Sequence, residues 1–167
     1  MTEEVKRNYL DIHSLKDLKE VNKPSEDYSL TLVDPINFQL NKFFYKNIGK
    51  NHNWVDRLSW SEEKWINYVS NESVQTYVFK FKNDLVGFFE LIFHLEKNET
   101  EIAYFGILEE YQNKKLGSYL LSEAIKKPFQ DNVSRVWVHT CSLDHKNALN
   151  NYISRGMQIF KTEILNI

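Results

Sequence analysis

The strongest constraint on the fold is a change of texture after Asn71. From there, Val74 to Phe81 and Leu85 to Phe93 are runs of β-branched and aromatic residues, joined by Lys82-Asn83-Asp84 as a short hairpin loop. Glu101 to Leu108 reads as another strand after a Glu96–Thr100 turn. Leu116, Tyr119, Leu120 and Ala124 then recur at three- and four-residue spacing, an amphipathic helix expected to end before Pro128. Val133 to Thr140 reads as a strand, His145 to Ser154 as a helix and Met157 to Thr162 as a final strand. Strands alternating with helices in this order predict a mixed α/β or α+β domain around one sheet.

The first half is less regular. Val5 to Ile12 is a weak strand, because Lys6, Arg7 and Asn8 interrupt its apolar pattern. Asn22 to Asp27, with Pro24, reads as a loop, and Tyr28 to Val33 alternates at period two as a better strand. Phe38, Leu40, Phe43, Phe44 and Ile48 have mostly helical spacing and stop at Gly49. Asn51 to Leu58 is a polar and aromatic connector. Ser61 then reads as the N-cap of a helix through Trp65 and Tyr68, with Glu62 and Glu63 in its first turn. There is no internal repeat, and 167 residues suit one domain over 1–167.

Composition narrows the class of function. Lys plus Arg is 21 against 23 Asp plus Glu, a net charge of −2, which argues against a nucleic-acid partner. A hydrophobic content of 42%, with 4 Trp, 9 Tyr and 11 Phe, excludes whole-chain disorder. The single cysteine, Cys141, leaves no internal disulfide and no cysteine-based zinc site, so a reducing cytoplasm is the expected compartment. The start, Met1-Thr-Glu-Glu-Val-Lys-Arg, is charged with no apolar run behind it, so no signal peptide is expected. Leu85 to Phe93 is interrupted by Glu90 and falls short of the ~20 residues a spanning helix needs, so no membrane partner is expected.

The segment with chemical content runs from Glu101 to Leu121. A strand ends near Leu108, a polar turn follows, and a helix opens around Lys114 to Gly117. Unpaired amides at a helix N-terminus hold phosphate groups well. Lys114 and Lys115 add cationic charge, and Gly117 lets a ligand approach the backbone. An ordinary strand-to-helix turn with exposed lysines reads equally well from spacing alone. Glu90 and His139 lie inside apolar strands, where a polar group is costly unless paired. A hydrogen-bonded structural role competes with a functional one for both, and for Glu90 it is the better reading. Asp144-His145 reads as an N-cap and first-turn residue rather than half of a catalytic dyad. Cys141 has no evident activating partner, and the histidine and carboxylate spacings match no metal site.

Gln112-Asn-Lys-Lys115-Leu-Gly117 resembles the acyl-CoA-binding motif of the GNAT superfamily of N-acyltransferases, Gln/Arg-x-x-Gly-x-Gly/Ala. Downstream, Ala148-x-x-x-Tyr152-x-x-x-Gly156-Met157 is similar to that family's Ala-x-x-x-Tyr-x-x-x-Gly-Phe signature, with Met for Phe. The two blocks stand in the family's order and separation, and the likeness covers about Val74 to Glu163. Trp54-Val-Asp-Arg57 and Trp60-Ser-Glu-Glu-Lys-Trp65 also resemble a bacterial subgroup of undefined substrate. Two positions depart from the pattern: Lys115 stands at the first motif glycine, and His145 where an asparagine often precedes the alanine by three.

The resemblance implies a mostly antiparallel sheet with splayed central strands and flanking helices. Residues 1–73 would supply N-terminal strands and acceptor-side helices, and 74–163 the acyl-CoA-binding core. Acetyl-CoA would be the co-substrate, with no metal. Its pantetheine arm would lie along Phe105, Ile107 and Leu108, and its pyrophosphate on the amides of Gln112, Asn113, Lys114, Lys115, Leu116, Gly117 and Ser118. Tyr152 would be the general acid for the leaving sulfur, and the Ile107 amide the donor to the thioester oxygen. Glu101 or His139, acting through water, would take the proton from the amine. Trp54, Trp60, Trp65, Asp56 and Arg57 would cover the amine side, as an aromatic pocket or, preferably, as packing. The implied activity is acetylation of a primary amine on a small molecule or peptide, by a monomer or homodimer. The rival is a non-catalytic acyl-CoA-binding domain of the same fold.

Overall fold

The computed structural model describes residues 4–166; Met1 to Glu3, part of the charged start from which no signal peptide was expected, and Ile167 lie outside them. The strands are β1 (Glu4–Ile12), β2 (Tyr28–Leu32), β3 (Val74–Phe81), β4 (Asp84–His94), β5 (Glu99–Ile107), β6 (Arg135–Cys141) and β7 (Gln158–Asn166). The helices are α1 (Phe38–Gly49), α2 (Glu62–Val69), α3 (Leu116–Gln130) and α4 (Ala148–Ser154). All seven strands form one mixed sheet in the order β2-β3-β4-β5-β6-β1-β7.

Local chemistry explains most boundaries. Asn37 caps α1 by accepting from the Gln39 amide, and Ser61 caps α2 by accepting from the Lys64 amide at 3.1 Å. Three expected boundaries move by three residues or more. Helix α3 runs through Pro128 to Gln130. The proline ring is buried on the same face as Ile125 and Leu121, and that burial carries the helix through the one amide bond it loses. Helix α4 starts at Ala148 rather than His145, because the Asp144 carboxylate turns back to Thr140 Oγ1 and the Cys141 amide instead of capping forward. Strand β7 continues to Asn166, since Ile164 and Leu165 still pair with Lys6 and Val5 of β1.

Helices α3 and α4 pack on one face of the sheet, where Leu10, Ile12, Val136 and Val138 meet Leu116, Leu120 and Tyr152. On the other face, Phe44 and Ile48 of α1 pack with Phe88 and Val78. Two irregularities interrupt the sheet at β5. Between β4 and β5 the register slips, so that Glu90 faces Tyr104 while Leu91 faces Ile102. Ala103 is thus the extra residue of a β-bulge, and Glu101 and Tyr104, three apart, share the face of Glu90. Between β5 and β6, the only parallel neighbours among the described strands, pairing covers Glu99, Thr100 and Glu101 against Arg135, Val136 and Trp137 and then stops. Past that point the strands diverge.

Candidate active site

The divergence of β5 from β6 opens a cleft of about 1090 Å³, ample for a sizeable ligand. Its walls come from β5, the start of α3, β6, α4, β1 and the connector after α1. Phe105, Ile107, Gln112, Asn113, Lys115, Leu116, Gly117, Ser118, Glu101, His139 and Tyr152 all line it. Two expected contacts stand apart. Leu108 is buried in the cluster under α1, and its amide is spent on the Val86 carbonyl at 2.8 Å. The Lys114 ammonium lies over the Tyr111 ring, 5.5 Å from its centroid.

The mouth of α3 has the geometry of an anion cradle. The first amides of a helix have no partner within it, and Lys115 at the N-cap makes no side-chain cap. The neighbouring hydroxyl of Ser118 is turned to the Lys115 carbonyl at 2.8 Å. Asn113 and Lys115 both take the left-handed conformation, with φ of 64° and 63°. That conformation favours glycine, which accounts physically for the glycine that Lys115 replaces. At Gly117 a Cβ would meet only the Asn151 amide at 3.7 Å and Ile107 Cγ1 at 4.0 Å. The fold therefore leaves room beside the Gly117 amide that its own packing does not fill. These residues fit a pyrophosphate.

Deeper in the cleft, the strand pattern sets the free backbone groups. Leu108 bonds to Val86 across the β4–β5 register, so the amides of Ile107 and Phe105 point away from β4, toward the gap. The Ile107 carbonyl is held by Gln112 Nε2 at 3.2 Å, leaving the Ile107 amide open. Tyr152 approaches from α4 with its ring 6.5 Å from that of Phe105. It is 7% exposed, and burial, reinforced by the Asp144 carboxylate, raises its pKa and keeps the phenol protonated. Asn151 Nδ2 donates to the Gly117 carbonyl at 3.2 Å and ties α4 to the cradle.

The opposite side of the sheet carries the titratable groups. Glu101 Oε1 lies 3.0 Å from His94 Nε2, and the His94 ring stacks on Trp137 at 6.0 Å. Sequence reasoning missed His94; its signal was its position at the end of an apolar strand, one short turn before Glu101. His139 faces the cleft beside the Tyr9 ring. Burial first, and then the Arg7 charge, lower its pKa, so it is neutral at pH 7. His52 at the cleft wall is lowered too, by burial and by His145. Among the described residues no group of three or more His, Cys, Asp or Glu side chains is placed to hold a metal ion, and no helix is long and apolar enough to cross a membrane.

The tryptophan-rich connector builds an aromatic cage, and the chain itself fills it. The Arg57 guanidinium lies 4.3 Å from the ring centroids of Tyr68 and Tyr104 and 4.7 Å from that of Trp60. Arg57 Nη1 donates to Glu90 at 2.9 and 3.2 Å. Burial is the largest influence and opposes its charge, but Glu90, Tyr68 and Tyr104 together outweigh it and the pKa rises. Glu90 is fully buried and also accepts from Asn41 at 2.8 Å and from the Tyr68 hydroxyl at 2.7 Å. Glu90 is thus a structural anchor, and Trp65, 1% exposed, is core.

Comparison with known proteins agrees with this geometry. The model of the acetyltransferase (GNAT) family matches residues 37–157. A GCN5-related N-acetyltransferase from Sphaerobacter thermophilus has the same fold, with a TM-score of 0.75 at 14% identity over 99% of this chain and 52% of that one. A GCN5-related N-acetyltransferase from Kribbella flavida matches with a TM-score of 0.67 at 14% identity, over 95% of this chain and 56% of that one. An aminoglycoside acetyltransferase from an uncultured soil metagenomic sample, in complex with trehalose, gives 0.67 at 14% identity, over 80% and 90%. This chain spans only 52% and 56% of the two GCN5-related structures. No curated protein matches the chain.

Proposed function

Because this chain belongs to the GNAT acetyltransferase family, we propose that it is an N-acetyltransferase that moves the acetyl group of acetyl-CoA to a primary amine on a small molecule or a peptide. The observation that carries the reading is the continuity of one cleft from the open amides at the start of α3, past the Ile107 amide and the Tyr152 ring, to Glu101 and His139.

Acetyl-CoA, when bound, supplies an activated thioester carbonyl. The amides from Asn113 to Ser118 and the Lys115 ammonium hold the pyrophosphate, and the free amides of Phe105 and Ile107 receive the pantetheine arm as an added strand would be received. The Ile107 amide donates to the oxygen that gains charge as the amine attacks. A free alkyl ammonium has a pKa of about 10.4, so a base must take its proton before the nitrogen lone pair can attack. Glu101, oriented by His94, or neutral His139 accepts that proton through water. The new N–C bond forms, the nitrogen releases its second proton to solvent through the same water, the C–S bond breaks, and Tyr152 donates its proton to the departing sulfur and recovers one from solvent. The lone thiol of Cys141 suits a reducing compartment such as the cytoplasm.

The test is acetyl-CoA-dependent release of free thiol across amines, amino acids, polyamines and peptides. Turnover with at least one amine is expected. Tyr152→Phe should lower it by roughly 10²–10⁴-fold while acetyl-CoA binding, measured by calorimetry, is unchanged. Tight acetyl-CoA binding with no thiol release on any acceptor would favour a non-catalytic acyl-CoA-binding domain instead.

A further inference from the structure

The acceptor side of the cleft carries a cation that the fold does not use. Arg7 stands on β1 opposite Cys141 of β6 and Glu163 of β7. Side chains alternate along a strand, so Arg7 and Tyr9 lie on the face opposite Leu10 and Ile12, which are buried in the core beneath α3. Arg7 therefore projects on the face that carries His139, and its side chain lines the cleft. Its Nε is buried and has no hydrogen-bond partner. Among the described residues no carboxylate comes within ion-pairing distance of it. Glu163, directly across the strands, is bonded instead to Lys161 at 3.1 Å. The other arginines of the cleft wall stand elsewhere: Arg57 is committed to Glu90, and Arg155, whose Nε is likewise buried without a partner, follows α4 on the opposite side of the sheet from His139 and Glu101.

Arg7 is half-buried, and its Nε has left water without gaining an acceptor. Its Nε and Nη groups form a planar fork whose natural complement is a carboxylate taken by two parallel bonds. On the same face, Glu101 presents the opposite charge. This face of the cleft thus carries both signs of charge, Glu101 on β5 and Arg7 on β1.

We infer that the acceptor is an aminocarboxylate, whose carboxylate is bound by Arg7 while its amine is presented beside Glu101. This rests on the acetyltransfer reading and adds the second anchor of the substrate.

The experiment pairs each amino acid with its decarboxylated counterpart, lysine with cadaverine, ornithine with putrescine, tyrosine with tyramine. Thiol release is measured with acetyl-CoA, and binding to the CoA-loaded protein is measured by calorimetry so that the outcome does not depend on turnover. In the native protein, at least one amino acid should exceed its decarboxylated partner by roughly 10- to 100-fold in kcat/KM or affinity. Arg7→Gln should abolish that preference without changing affinity for CoA, and Arg7→Lys should restore part of it. Melting curves of both variants identify a folding defect, and the Lys variant keeps the test open if the Gln variant is unstable. Equal use of both members of every pair, with CoA binding intact, overturns the inference and leaves the acetyltransfer reading standing. An equal loss on both members in Arg7→Gln overturns it as well. Loss of both CoA binding and turnover in the native protein would sink the acetyltransfer reading and this inference with it.

Discussion

Arg57 and Arg7 have the same side chain, and both contribute to the wall of the same cleft. Their surroundings divide them. Arg57 is 6% exposed, closed in by aromatic rings and bonded to a carboxylate that has no other access to solvent. Arg7 presents a buried nitrogen with no acceptor. A buried charge whose partners are all present is architecture: it holds the connector after α1 down onto β4 and thereby shapes the cleft. A half-buried cation that lines the cleft with an unpartnered nitrogen is left for a ligand, the role proposed above for Arg7. The carboxylates repeat the contrast, for Glu90 is sealed with its bonds satisfied, whereas Glu101, on the same face, remains part-exposed and open to the cleft.

The hardest blow to this contrast is Glu90→Ala. It strands the Arg57 charge in an aromatic cage and takes the carboxylate from Tyr68, while Asn41 keeps only Thr76, so unfolding free energy in urea should fall by about 3–5 kcal/mol. Replacing both members, as Arg57→Met with Glu90→Leu, should recover most of that loss, because neither charge is then left buried alone. Recovery that fails would mean the pair does more than anchor the connector. Glu101→Gln tests the other side. Its stability should change by less than about 1 kcal/mol, while turnover drops by about 10²-fold if it takes the amine proton. A loss of stability comparable with that of Glu90→Ala would erase the distinction.

The histidines sharpen the comparison through pH. His139 and His52 both have pKa values below the usual histidine value of 6.5 in the folded protein. The unfolded chain then binds protons more readily than the native one around and below that value. Stability is therefore fully present above about pH 6.5 and declines as pH falls through and below it. His139→Gln should flatten that decline in urea titrations from pH 8 to pH 5. The smallest effect belongs to Lys115→Gly. Relief of the left-handed strain, about 1 kcal/mol, is partly offset by the greater freedom of glycine in the unfolded chain, leaving a gain of about 0.5 kcal/mol.

Legibility in the sequence tracks how local each feature is. Ser61 with Glu62 and Glu63 is a complete helix-start signal within four residues, and Gly156, at φ 107°, is a glycine that the turn after α4 requires. The cradle was legible because its residues are contiguous from Gln112 to Ser118. The partnership of Glu101 with His94 was not, since it depends on the register of the β4–β5 hairpin, where Ile92 faces Glu101 and His94 faces Glu99, and no sequence period announces that register. Arg7 was hidden for a related reason. The polar residues that made Val5 to Ile12 a weak strand fall on both faces, Arg7 toward the cleft and Asn8 on the side of Leu10, and a strand with one side lining a ligand cleft does not look like a core strand. Likewise, the helix capacity of Pro128 and the start of α4 depend on burial and on where the Asp144 carboxylate turns, neither of which is a property of neighbouring letters.

The position of β1 between β6 and β7 has a consequence for how the molecule comes into being. Arg7 is synthesised long before both its neighbours across the sheet, Cys141 and Glu163. Until then a strand bearing Val5, Leu10 and Ile12 waits with both hydrogen-bonding edges vacant, exposed to chance pairing with other nascent chains. This part of the sheet, and with it one wall of the cleft, can assemble only once β6 and β7 have been made. The slow step of folding should therefore be the capture of this first strand by the final two.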